Sequence, residues 1–152
     1  ALGLLVLEGG LRLLGLGPTP SLVRFDANTG WSNRPSASLT RKGAKGEFVV
    51  HFETNSLGLR DDPMEVPEKP AGVYRLLALG DSFTLGFAVE RADHFVDLLE
   101  AGLRSTGRNV EVLNVGTEGW DTAQAAAWLE QNIGRFQPDG VLLLPYENDL
   151  YW

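Results

Sequence analysis

Three short stretches of this 152-residue chain hold the residue types that acyl transfer needs. Gly80-Asp81-Ser82 offers a hydroxyl nucleophile. Asn114-Val115-Gly116-Thr117-Glu118-Gly119 ends in a backbone N–H that no side chain shields, and Asn148-Asp149 offers a side-chain amide. A serine attacking an ester carbonyl creates an oxyanion, and loss of one fixed donor to that oxygen costs on the order of 3 kcal/mol in the transition state. The candidate donors are the Ser82 N–H, the Gly119 N–H and the Asn148 carboxamide. Asp81, Trp120 and Tyr146 are the candidate residues bordering a substrate, with Asp81 and Asp149 also suited to fixing loops by accepting backbone hydrogen bonds. Singly, Ser82 reads as a helix cap, Gly119 as a turn glycine and Asn148 as a loop asparagine. Jointly, each after a successive strand, they read as one site.

The elements that must position them follow from periodicity. Residues 74–79 form a short apolar run, as expected of a strand buried on both faces. Residues 92–103 place Phe95, Leu98, Leu99 and Leu103 at helical spacing. Residues 110–115 are a second strand. Residues 122–136 are an alanine-rich helix with Ala126, Leu129, Ile133 and Phe136 expected to face inward. Pro138-Asp139-Gly140 then starts a third strand over 141–144. Strand, helix, strand, helix, strand is the signature of a parallel α/β sheet with right-handed crossovers, in which ligands bind at the carboxyl ends of the strands. All three motifs fall at such ends. The third strand is expected to be an uncovered, apolar edge, which invites self-association or partial disorder of the chain by itself.

Upstream of this domain, residues 71–152, lies an extension over 18–70. Residues 21–46 are rich in Ser, Asn, Gly and Pro and read as loops and short strands. Phe48, Val50 and Phe52 alternate with Val49, His51 and Glu53, the period of a half-buried strand. A Pro- and Glu-rich linker spans 63–70. Gly17-Pro18-Thr19-Pro20 ends the first segment, residues 1–17, because proline cannot continue a helix. Residues 4–16 are almost all apolar or glycine and too short for a spanning helix of about 20 residues. Two readings stay open there: a remnant of a membrane anchor or signal segment, or an amphipathic helix with Glu8 and Arg12 paired at i, i+4. The first would put the protein at a membrane or in the bacterial periplasm or cell envelope.

A formal net charge of −7 argues against a nucleic-acid partner, since phosphate binding needs clustered Lys and Arg. The absence of cysteine removes disulfides, thiolate zinc sites and a cysteine nucleophile. Only His51 and His94 are available for histidine chemistry. His51 reads as a solvated strand residue and His94 as a helix-start residue. A phosphate-binding module using Ser82, Thr84 and the helix start is a competing class, but no standard glycine-rich phosphate loop is present. Trp128 reads as packing on the alanine-rich helix.

The motifs, with Gly80-Asp81-Ser82-Phe83-Thr84-Leu85-Gly86 as the first, resemble those of the SGNH hydrolases, also called the GDSL esterase/lipase family. Thr54-Asn55-Ser56-Leu57-Gly58-Leu59-Arg60-Asp61 is similar to a segment that precedes the first motif in anchored bacterial members. The resemblance runs from about Thr54 to Asp149. It implies a flavodoxin-like three-layer α/β/α fold, Ser82 as nucleophile, an oxyanion hole from Ser82, Gly119 and Asn148, no metal or cofactor, and ester substrates, either small molecules or carbohydrate esters. An O-acetyltransferase acting on exported polysaccharide is the alternative within the same constellation. Two departures stand out: Tyr146 replaces the glycine usual two residues before Asn148, and the family's Asp-x-x-His motif is absent. The chain therefore reads as an SGNH domain truncated before its base, nearly inactive alone.

Overall fold

The computed structural model describes residues 2–14, 21–64 and 66–150, apart from the side chains of Leu2, Asn148 and Leu150. The Gly17-Pro18-Thr19-Pro20 turn and Trp152 lie outside the described residues. Helix α1 (Leu2–Leu13) carries the expected Glu8–Arg12 ion pair at 2.8 Å, while its Leu4, Leu5, Val6 and Leu7 side chains are exposed. No helix among the described residues is long and apolar enough to cross a membrane.

Two antiparallel hairpins follow. Strands β1 (Val23–Asp26) and β2 (Gly30–Asn33) form one, β3 (Ser38–Lys42) and β4 (Val49–Glu53) the other. In β4 the expected alternation is present. Val50 and Phe52 are buried, and Phe48 packs partly buried beside them. Their apolar cluster is completed by Leu85 of the later helix α2 (Ser82–Leu85), so the hairpin and the Ser82 turn share one core.

The second half is a mixed α/β unit around a three-stranded parallel sheet. The order is β6 (Val110–Asn114), β5 (Tyr74–Gly80), β7 (Gly140–Leu144), with β5 central. Helix α3 (Phe95–Ser105) connects β5 to β6, and α4 (Thr122–Phe136) connects β6 to β7. Side chains alternate along β5. Leu77 and Leu79 join Ala125 and Phe136 of α4, whereas Leu76 and Ala78 join Val96, Leu99 and Leu103 of α3. The central strand thus buries both faces, and its continuous apolar run is explained. Within that run Arg75 is fully buried. Its guanidinium meets Glu111 of β6 at 2.5 Å and donates to the carbonyls of Pro67 and Phe136, so the charge is matched and the donors are occupied.

Helix α4 begins at a capping box: Asp121 accepts from Gln124 N at 2.8 Å and the Gln124 side chain accepts from Asp121 N. Its inward face differs from the sequence expectation. Ala126 and Ile133 are exposed, and the buried line is Ala125, Asn132 and Phe136, with Trp128 and Leu129 partly buried beside it. Asn132 sits on that face because its amide donates to Trp128 O at 2.8 Å. In α3, likewise, Val96 takes the buried position, while Phe95 and Leu98 are largely exposed.

Strand β7 alternates between half-buried and exposed residues, leaving Val141 and Leu143 open to solvent on an edge strand of the described sheet. Such an edge offers both unpaired backbone and apolar side chains to another chain. Leu143→Lys is therefore expected to lower self-association, read as weight-average mass by light scattering over a concentration series. An unchanged series would remove β7 as the sticky edge.

Candidate active site

The three motif loops leave the same end of adjacent parallel strands. Gly80 is paired with Leu144, and Ala78 with Asn114, so the chain emerges from β5, β6 and β7 at one rim. The first loop turns at once into α2. Asp81 is its N-cap, accepting from Phe83 N at 2.8 Å, and Ser82 is the first helical residue. Gly86 closes the turn in the left-handed region at φ 77°, a conformation that favours glycine. Asp81 is buried and its carboxyl is pushed up by that burial, with the Asp149 charge adding in the same direction. It positions the serine turn rather than facing a substrate.

Two glycines let the turn sit against the strands. A Cβ on Gly80 would lie 2.2 Å from Thr84 Oγ1 and 2.8 Å from Leu144 O. One on Gly116 would lie 2.2 Å from the Leu85 nitrogen. The first and second motifs are glycine-bearing because α2 packs directly on both strand ends.

The second loop is held from both sides. Asn114 Oδ1 accepts from Gly116 N at 3.0 Å, and Thr117 N donates to Gly80 O at 3.1 Å. Asn33 donates to Gly116 O at 2.9 Å, Trp31 Nε1 to Glu118 O at 2.8 Å, and Arg41 pairs with Glu118 at 2.7 Å. Gly119 is exposed with φ 74°, a value an L residue rarely adopts. Trp120, expected beside a substrate, is instead 1% exposed in the core, its indole donating to Trp31 O at 2.8 Å. It supports the loop from beneath.

The third loop approaches the first through aromatic stacking. The Tyr146 and Phe83 rings lie 4.1 Å apart at 24°, which sets Tyr146 next to the residue after Ser82. Asn148 lies in the 3₁₀ turn Glu147–Leu150, its side chain outside the described part, and Asp149 accepts from Tyr146 N at 3.2 Å. Ser82 is thus tied to the Gly119 loop through Gly80 and to the Asn148 loop through Phe83. No hydrogen bond joins Ser82, Gly119 and Asn148 directly among the described residues.

Ser82 also lines a cavity of about 430 Å³ whose other walls include Phe83, Ala88, Val89, His94 and Phe95. His94 is buried, with Nε2 3.5 Å from Phe83 O and Nδ1 3.5 Å from Asp97 Oδ2. His51 stands half-exposed on β4, 3.3 Å from Glu53 Oε1, as the sequence suggests.

Two residues upstream bind this rim together. Arg60, 1% exposed, donates to Leu85 O at 2.9 Å, Gly86 O at 2.7 Å and Val89 O at 2.7 Å, and lies 4.0 Å over the Phe52 ring. Burial pulls its guanidinium below the ordinary arginine value. Asp61 accepts from Asn114 N at 2.9 Å. Its carboxyl is pushed up to about 6, chiefly by burial, against hydrogen bonds from Asn114 and Asp62 and the charge of Arg91. In the sequence both sit inside a motif known only by resemblance; a buried charge gives no periodic signal.

Replacing Arg60 by Met would strand the carbonyls it serves, and a loss of about 3 kcal/mol in denaturant-unfolding stability is expected. A loss under about 1 kcal/mol would show those carbonyls satisfied without it. For Asp61 the sign runs against high pH. Its folded-state pKa lies above the ordinary 3.8, so the folded protein retains a proton the unfolded chain has released, and stability falls as pH rises from about 4 to about 6. Asp61→Asn keeps an acceptor for Asn114 and is expected to remove that part of the fall, seen as urea midpoints that diverge from wild type across the window and level above it. Parallel midpoint profiles would contradict the assignment. No protein-family model matches the chain, and no curated protein matches it.

Proposed function

We propose that this chain carries the nucleophile and oxyanion-binding groups of an SGNH-type serine esterase, within a flavodoxin-like three-layer domain. The observation that carries the reading is the convergence of the three motif loops at one rim of a parallel sheet, with Ser82 at the head of a turn packed against both neighbours. In this reading Ser82 Oγ attacks the ester carbonyl and the alcohol leaves, giving an acyl-enzyme that water resolves. The N–H groups of Ser82 and Gly119 and the Asn148 carboxamide hold the oxyanion. The first N–H groups of a helix have no intrahelical acceptor, which leaves the Ser82 N–H free of a competing partner inside α2. Asp81 holds the turn, and Tyr146 takes the place of a small residue at the site mouth.

A second reading is acyl transfer to a carbohydrate acceptor at a membrane, an O-acetyltransferase. The exposed apolar residues of α1, which suit a lipid surface, favour it. Acceptor-dependent product separates it from hydrolysis.

The nucleophile can be tested independently of the base. With a p-nitrophenyl hexanoate donor and added imidazole to accept the proton, intact-mass and peptide mapping are expected to find the acyl group on Ser82. Ser82→Ala should abolish the adduct, and Asn148→Ala should slow its formation about 100-fold. Acylation spread over several serines and lysines, unchanged in Ser82→Ala, would end the proposal.

A further inference from the structure

The cavity beside Ser82 is walled mainly by carbon. Phe83 and Phe95 face each other's neighbourhood from α2 and α3, and Ala88 and Val89 supply the connecting segment between them. Phe83, Val89 and Phe95 are each substantially exposed, with relative exposures of 58%, 38% and 43%, although they are large apolar side chains. The polar groups at this wall are few: the Ser82 hydroxyl, the buried His94 ring and the carboxylate of Asp93. A volume of about 430 Å³ is within the range of small-ligand pockets and far exceeds what one methyl group fills.

We infer that this cavity is an acyl-chain subsite: it takes an unbranched, uncharged hydrocarbon chain of medium length, with the carbonyl end held at Ser82. The inference rests on the esterase reading for its orientation and deepens it by naming the acyl half of the substrate. A nucleophile at one edge and apolar walls beyond it match the polarity of a fatty acyl ester, which is polar at the reacting carbon and apolar outward from it. An acetyl group would leave the walls wet. A sugar would leave its hydroxyls facing Phe83, Val89 and Phe95 without partners, at a cost in unpaired polar groups.

His94 supports the wall. A Cβ on Gly86 would lie 2.4 Å from His94 Cδ2, so the ring packs directly on the glycine that closes the α2 turn. The cavity's inner wall is therefore rigid, and its outer wall, from Ala88 and Val89, is where chain length would be read.

Binding of straight-chain primary amides to the 152-residue chain tests this without needing turnover, because amides are neutral and unreactive here. Acetamide, butyramide, hexanamide and octanamide are titrated while the Ala88 and Val89 methyl signals are followed by NMR. Affinity is expected to rise roughly two- to fourfold per added methylene, with saturable shifts confined to these methyls. Ala88→Trp fills an exposed position at the outer wall and should cost at least about tenfold in hexanamide affinity. Ala88→Ser leaves the space open and should bind as wild type. Affinity independent of chain length, or Ala88→Trp binding hexanamide as wild type does, would overturn the subsite. Chain-length-dependent binding without any Ser82 acylation in the mapping experiment would uphold the subsite and sink the esterase reading. Acylation of Ser82 at equal rates from acetyl and hexanoyl donors would do the reverse.

Discussion

A guanidinium taken out of water loses its hydration bonds, and Arg60 replaces those of its two terminal nitrogens with carbonyls rather than a carboxylate. Leu85, Gly86 and Val89 supply them, and the Phe52 ring covers one face of the cation. Leu85 O and Gly86 O belong to the end and cap of α2, which a four-residue helix cannot satisfy within itself, and Val89 O belongs to the segment that follows. Arg60 therefore finishes α2, and α2 carries Ser82. Because Phe52 belongs to β4, the same contact fastens the N-terminal hairpin to the serine turn. Removing the cation would loosen two parts of the protein at once. The upstream extension is in this sense part of the site's scaffold, joined further by Asp61 to Asn114, Asn33 to Gly116 and Trp31 to Glu118.

Close backbone approach does the rest. Gly80 and Gly116 leave no room for a side chain, so α2 lies against β5 and the β6 loop at contact distance. Packing this tight means that the Ser82 backbone can move only with the strand ends. Orientation of a nucleophile against fixed donors is worth more when those donors cannot drift, since misplacement by even an ångström costs about two orders of magnitude in rate. The Phe83–Tyr146 stack extends the same constraint to the loop that contains Asn148.

The strands and both long helices were legible because their cores are apolar and periodic. Val50 and Phe52 alternate inward, Leu76 to Leu79 feed two opposed clusters, and Asp121 with Gln124 announces the start of α4. What was not legible involves polar residues in buried positions. Asn132 occupies the inward face of α4, so counting apolar residues chose Ala126 and Ile133, which point away. Arg75 sits near the start of a strand that reads as an apolar run, and it is tolerated because Glu111 arrives from the neighbouring strand and two carbonyls take its remaining donors. Trp120 follows a site glycine closely enough to suggest a pocket wall, yet its indole finds a carbonyl, Trp31 O, inside the core. The partners of Arg75 and Trp120 come from distant sequence, and no local pattern carries them.

The proton acceptor for Ser82 is the remaining chemical question of the proposed reaction, and neither histidine hydrogen-bonds the Ser82 hydroxyl among the described residues. A base must turn an imidazole lone pair toward the hydroxyl at about 2.6–3.2 Å. His94 shares the cavity with Ser82, but its nitrogens face the Phe83 carbonyl and the Asp97 carboxylate, and its ring is wedged against Gly86. Rotating it to reach Ser82 would break that packing and the 3.5 Å approach of Nδ1 to Asp97 Oδ2. His51 is turned toward Ser38 and Glu53 at the exposed side of β4. In the proposed reaction the oxyanion donors act independently of the group that takes the Ser82 proton. Charge stabilisation would then belong to the scaffold, and activation of the hydroxyl would be a separable contribution.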